Sequence, residues 1–230
     1  EESYTRQAKT YAKMLVLDRK DIINDDLGAF DDLRTRLGAG AAAKFNDIFW
    51  AAFMNNSAFF TAARGNYIAT ATANLGLDGV GLTEGVAAFD ALKTTAVAGE
   101  QKRIGGRPEI LLVPPELYWI AQQLFVSSNV NTGGAATATS VPNANVFAGL
   151  YRPVKSAWLS DSAFTGYGAK IWYLFRNPRI LPAMVVAFLN GQQTPTIESS
   201  DADFQTLGIQ FRGYHDFGVA KQSTRGGVKS

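Results

Sequence analysis

Six aspartates, Asp18, Asp21, Asp25, Asp26, Asp31 and Asp32, fall within one short span of the chain. Clustered carboxylates are the side chains that bind hard divalent cations. The spacing argues against such a site, because it does not follow the alternating acids of a calcium loop. Caps, turns and the positive end of a helix dipole account for all six. The span is therefore expected to hold no metal, and a metal-dependent enzyme built on Asp18 to Asp32 stands as the alternative from another functional class. The chain has one histidine, His215, and no cysteine. A serine hydrolase would need that histidine as its base, yet no G-x-S-x-G elbow occurs, and no serine is tied to it by spacing. His215 stands on the apolar face of an alternating stretch, which predicts a hydrogen-bonded structural residue. Without cysteine there are no disulfides, thiolate metal sites or cysteine nucleophiles. Gly79-Val-Gly81 with Gly85 has the wrong spacing for a dinucleotide loop, and no strong strand precedes it. No catalytic, cofactor-binding or metal-ligating residue is assigned, no cofactor is expected, and the protein is read as a non-enzyme.

The remaining question is what elements these residues serve. From Ala29 to Asn55 apolar residues recur at helical spacing, with Leu33, Leu37, Ala41, Phe45, Ile48, Phe49, Ala52 and Phe53 on one stripe. Such a helix would run roughly 40 Å. Asp31 and Asp32 suit its start, and Asn55 and Asn56 its end. Gly38 and Gly40, set among Ala39, Ala41, Ala42 and Ala43, predict a smooth face approached closely by another backbone, of this chain or of another. Ahead of this helix, Ser3 to Leu17 favours extension but has no consistent apolar face, so it is expected to project from the core. Its mate is expected either upstream of this sequence or on another subunit. Asp18 to Ile23 reads as a short capped helix.

Gly65 to Gly81 is a connection rich in small residues, and a subdomain boundary is placed there. Thr83 to Ala98 reads as a helix capped by Thr83. Glu109 to Val113 is a buried strand, and Pro114-Pro115 opens a helix carrying Leu117, Ile120, Ala121 and Leu124 on one face. Ser127 to Asn145 is almost wholly small and polar and is expected to be a long loop. Strands are predicted at Phe147 to Ala157, Ala169 to Phe175 and Met184 to Leu189. Trp158, Trp172, Tyr173 and Phe188 are assigned to the core. Phe204 to Lys221 alternates strictly through Leu207, Ile209, Phe211, His215, Phe217 and Val219, one face of a strand approaching 60 Å if uninterrupted, with Gly208, Gly213 and Gly218 as places to bend.

With 230 residues, 47% of them hydrophobic, the chain can bury a substantial core. Its formal charge of +2 is too small to argue for tight nucleic-acid binding. The longest apolar run, Ile180 to Leu189, contains Pro182 and falls far short of the ~20 residues of a membrane helix, so no membrane partner is expected. Glu1-Glu2-Ser3 is no signal peptide, and the missing initiator methionine is what a chain starting downstream of a removed segment would show.

The order of elements, with the stretches Asp21-Ile-Ile-Asn-Asp-Asp-Leu-Gly-Ala-Phe30, Ile110-Leu-Leu-Val-Pro-Pro115, Val186-Ala-Phe-Leu-Asn-Gly-Gln-Gln-Thr-Pro-Thr196 and Asp201 to Val219, resembles tailed-bacteriophage major capsid proteins, the head subunits encoded beside or fused to a ClpP-like prohead protease. The likeness extends over essentially the whole chain. It implies an α+β fold with an E loop, a peripheral P domain carrying a long spine helix and long strands, and an axial A domain. Laid on this chain, residues 1–18 would be the descending half of the E loop, 19–75 and 184–230 the discontinuous P domain, and 76–183 the A domain, with Ser127 to Asn145 pointing toward a capsomer axis. The family's N-terminal arm and ascending E-loop strand have no counterpart here, as maturation cleavage, disorder or truncation would each produce. Some relatives cross-link subunits through a lysine, an asparagine and a glutamate; no matching trio can be placed.

The implied function is self-assembly, as hexamers and pentamers, into the icosahedral shell enclosing phage double-stranded DNA. The implied location is the virion capsid, assembled in the bacterial host cytoplasm. Implied partners are further copies of the chain, a portal, a scaffold or prohead protease, accessory head proteins, and packaged DNA through weak non-specific contact. An encapsulin-like protein compartment is the alternative within the fold.

Overall fold

The computed structural model describes residues 5–18, 20, 23, 32–69, 74–94, 100–132, 141–201 and 208–230. The chain divides into two compact units, Glu1–Trp50 with Val185–Ala220, and Ala51–Met184 with Lys221–Ser230.

The first unit is a sheet with one helix. Strand β1 (Lys9–Asp18) pairs antiparallel with the long strand β9 (Gly208–Lys221), from Lys9 opposite Phe217 to Asp18 opposite Gly208. Strand β8 (Thr196–Asp201) also pairs antiparallel with β9, and β7 (Met184–Phe188) neighbours β9 in the same sheet. The expected projecting strand is thus corrected: β1 has its mate within this chain. Local reading misses that mate because it lies at the far end of the sequence and because Tyr11, Leu15 and Leu17 are separated by exposed residues. β8 has no counterpart among the expected strands, since in Thr-Ile-Glu-Ser-Ser-Asp only Thr196 and Ile197 favour extension. β9 runs on through Gly208, Gly213 and Gly218 without interruption.

Helix α1 (Leu33–Met54) matches the apolar stripe, and the expected Ala29 to Asp31 lie outside the described residues. Asp32 precedes it and pairs with Arg36 at 3.0 Å, one turn on. Within this chain Gly38 faces the Ile197 side chain and Gly40 meets nothing within 4 Å, so among the described residues no backbone of this chain makes the close approach. The fully buried apolar residues of this unit are few among the described ones: Phe217 at 1% and Leu17 at 9% exposure, with His215 at 7% beside them.

The second unit carries a denser core. Helix α2 (Val80–Ala91), strand β2 (Ile110–Val113), helix α3 (Pro115–Val126), strands β5 (Arg152–Lys155) and β6 (Tyr173–Phe175), and the short β10 (Gly227–Lys229) make up its frame. The sheet order is β10-β6-β2-β5, with β2 and β5 parallel and the other neighbours antiparallel. Leu111, Val113, Leu124, Trp172 and Leu174 pack with Leu82 and Phe89 of α2. The helix expected from Thr83 begins earlier, at Val80, behind the capping Gly79, whose φ of 72° is open to glycine. Thr83 lies inside the first turn and donates its hydroxyl to the Gly79 carbonyl at 3.0 Å. That helix stops at Ala91, and 95–99 lie outside the described residues.

The stretch read as one long loop contains an antiparallel ribbon, β3 (Asn129–Thr132) against β4 (Val141–Ala144). The Asn145 amide donates to the carbonyls of Leu124 and Ser127 and ties the ribbon's base to α3. The predicted strand Phe147 to Ala157 narrows to Arg152–Lys155. Trp172 and Tyr173 are wholly buried, while Trp158 and Phe188 are half-buried. Among the described residues no helix is long and apolar enough to cross a membrane.

Two sets of buried polar side chains in this unit find partners, whereas the buried hydroxyls of Tyr151 and Ser156 have none among the described residues. Asn56 donates to the Tyr173 phenol oxygen at 3.1 Å and accepts from the Lys229 ammonium at 2.9 Å. The buried Arg176 guanidinium lies 4.2 Å from the Phe89 ring centroid and donates to the carbonyls of Gly105, Phe89 and Arg225. Burial pushes the Tyr173 phenol from its usual 10.0 up to about 12, against a smaller lowering by the Asn56 hydrogen bond, and raises Tyr151 as well. Above pH 10 the unfolded chain releases these protons first, so stability is level below pH 10 and falls between about 10 and 12. For Tyr173 the full difference corresponds to about 3 kcal/mol. Lys229, held below its ordinary value by burial, works in the opposite sense and gains as pH rises. Melting temperature followed from pH 8 to 12 should therefore drop along the alkaline limb, and Tyr173→Phe should flatten that limb; an unchanged limb would contradict the assignment.

Candidate assembly surfaces

The residues able to do chemistry are not assembled into a reaction centre among the described residues. Asp18 ends β1 opposite Gly208, and Asp32 is committed to Arg36. Asp21, Asp25, Asp26 and Asp31 lie outside the described residues. No group of three or more potential metal ligands occurs among those described. Gly81 and Gly85 are buried on α2, and a Cβ on Gly85 would run into the Trp172 indole; these glycines serve helix packing.

His215 is buried on β9, as the alternating pattern requires, among the rings of Phe188 (5.7 Å), Phe217 (5.0 Å) and Phe45 (6.3 Å). Its Nε2 has no hydrogen-bond partner among the described residues, so at that nitrogen the expected hydrogen bond is not made. The surrounding side chains are aromatic because alternate β9 residues face the apolar stripe of α1. Tyr11 of β1 closes the cluster, 4.7 Å from Phe217.

What the fold does present is surface suited to contact. In the first unit β1 and β8 are each paired on one side only among the described residues, leaving edges of backbone donors and acceptors open to another chain. Met14 and Val16 of β1 are exposed on the sheet face away from Tyr11. On that same face Arg212 of β9 and Glu198 of β8 pair, and Tyr214 donates to Glu198 at 3.3 Å. The Arg212 hydrogen bond holds the Glu198 carboxyl below its ordinary range. A groove of about 680 Å³ lies between β1 and the first half of α1. In the second unit Trp119 and Val126 of α3 and Val146 beyond the ribbon are exposed at 66% or more. Large apolar groups in water at that level are contact candidates. Sequence patterning marks Trp119 only as an aromatic on a helix, and the missing signal is which side of α3 the sheet covers.

A family model described as phage capsid protein matches residues 1–230. Among solved structures the fold is similar to the asymmetric unit of the bacteriophage PhiM1 mature capsid, at 12% identity and TM-score 0.57, covering 98% of this chain and 71% of that one. It is also similar to Mycobacterium phage Che8, at 16% identity and TM-score 0.53, covering 96% and 70%. The holo-SrpI encapsulin complex from Synechococcus elongatus PCC 7942 matches at 9% identity and TM-score 0.53, covering 96% and 72%. No curated protein matches this chain.

Proposed function

This chain belongs to the phage capsid protein family, and we propose that its two units divide the work of building an icosahedral head around double-stranded DNA. The protein is a structural subunit that self-assembles into the virion shell; the details that follow are our reading. Residues 1–18 act as half of an E loop, 19–75 and 184–230 as the P domain with α1 as its spine, and 76–183 as the A domain, arranged in hexamers and pentamers. A portal, a scaffold or prohead protease, and accessory head proteins join the shell. DNA contact is weak and electrostatic, in keeping with the small net charge. The protein carries out no catalysis.

The observation that carries this reading is the family match over the whole chain, and the first unit gives it a physical basis. Among its described residues that unit has open strand edges and few fully buried apolar side chains. A subunit of this kind gains stability from neighbours, and closing a shell holds each copy by several contacts that must break together. An encapsulin-like compartment is the second reading, favoured by the likeness of fold to the SrpI shell; the contents of the particle, nucleic acid or protein cargo, separate the two.

The test is sedimentation of purified protein with electron microscopy of the fastest fraction. The expected result is closed particles of megadalton mass, unchanged by chelator. A protein that stays at the mass of one or a few chains under all assembly conditions, or particles lost in chelator and restored by one divalent ion, would overturn it.

A further inference from the structure

The groove in the first unit is a shaped, chemically mixed site. One wall is β1 from Thr10 to Leu15 and the other is α1 from Leu33 to Lys44. Eleven helical steps make it about 17 Å long, the span of about five extended residues. Tyr11, Leu15, Leu37, Ala41 and Phe217 form an apolar lining. Lys13 on the strand wall and Arg36 and Lys44 on the helix wall supply cations, and no carboxylate lines it among the described residues. Arg36 is partly spent on Asp32, whereas Lys13 and Lys44 form no ion pair among the described residues. His215 also lines the groove, 7% exposed and with Nε2 unpartnered among the described residues. A buried polar atom left without a partner costs free energy that a ligand able to satisfy it would recover.

We propose that this groove docks an acidic, leucine-rich peptide segment of a partner protein. The apolar lining takes alternate aliphatic side chains, and the intervening carboxylates meet Lys13 and Lys44. The distribution of charge favours a peptide over a single-headed amphiphile, because the cations stand on both walls and are spread along the length, whereas a fatty carboxylate offers one anion at one end. A groove of this volume is within the range of specific ligand sites. The proposal adds a partner to the shell reading, and particle formation is scored separately so that either can fail alone.

The experiment uses dispersed full-length subunits and a fluorescein-labelled peptide of alternating glutamate and leucine, seven residues long in its design. Anisotropy should rise to saturation. The lysine-leucine counterpart should not bind, and the double substitution Lys13→Glu with Lys44→Glu should weaken binding at least tenfold. Ala41→Trp, which fills the groove, should abolish it with the melting curve retained; if that variant does not fold, the charge-reversal pair carries the test. Because His215 is the sole histidine, its imidazole resonance should shift on titration. Equal binding of acidic and basic peptides, affinity unmoved by the charge reversal, an unshifted histidine, tighter occupation by laurate, or blockage of the site by a second subunit would each overturn the proposal.

Discussion

Trp172→Ala is expected to lower the stability of the second unit more than any other single truncation in its core. The indole is wholly buried in the cluster that joins Leu82 and Phe89 of α2 to Leu111, Val113 and Leu174 of the sheet. Gly85 marks how tightly the helix rests on it: a Cβ built there would stand 2.9 Å from the indole Cζ3, closer than real atoms tolerate. Truncating a buried tryptophan costs about 3–5 kcal/mol through lost burial and the cavity left behind. Whole domains are stable by only about 5–15 kcal/mol, so the loss consumes much of the reserve. The packing claim is checked by a cycle. Gly85→Leu alone should destabilise, by overpacking against the ring, while in the Trp172→Ala background it should recover part of the lost melting temperature by filling the cavity. Additive losses would show that the two positions are not in contact.

Phe217→Ala is the counterpart in the first unit, with a different expected outcome. Phe217 is 1% exposed and is the hub of that unit, its ring 4.7 Å from Tyr11, 5.0 Å from Phe45 and 5.0 Å from His215. A loss of about 3–5 kcal/mol falls here on a unit with few other buried apolar groups. Hydrogen exchange should show protection lost along β1, β9 and the start of α1 while the amides of β2, β6 and α3 stay protected. Particles should no longer form, because β1 and β8 can present their edges only while β9 holds them. Uniform loss of protection in both units, or normal particles from the variant, would defeat this.

The elements that carry the candidate surface were legible in the sequence, but the surface itself was not. The α1 stripe, the Pro115 start of α3 and the period-two run of β9 were each carried by a local repeat that survives in the fold. His215 was correctly placed on an apolar face, yet its unpartnered Nε2 depends on which rings surround it. Phe217 lies on β9 itself, but the other two rings come from α1 and β7, elements that local patterning around His215 does not name. The groove beside it had no sequence signal, because Lys13, Lys44 and Phe217 become neighbours only when β1 lies against β9 and α1 lies across them.

The amino-acid sequence by itself determined the elements with a strong period of their own, the lack of thiol chemistry, and the family to which the order of its long stretches points. These rest on covalent order and on periodicity, which the chain carries in any conformation. The tertiary structure alone decided that β1 pairs with β9 rather than standing free, that the helix expected from Thr83 reaches back to Val80 at the end of the glycine-rich connection, and that a stretch of small polar residues contains a paired ribbon. Each of these depends on a partner supplied from elsewhere in the chain. A strand's register and a glycine's packing are set by the atoms opposite it, and nothing in the local composition of Ser3 to Leu17 names Phe217 as the ring that Tyr11 will meet.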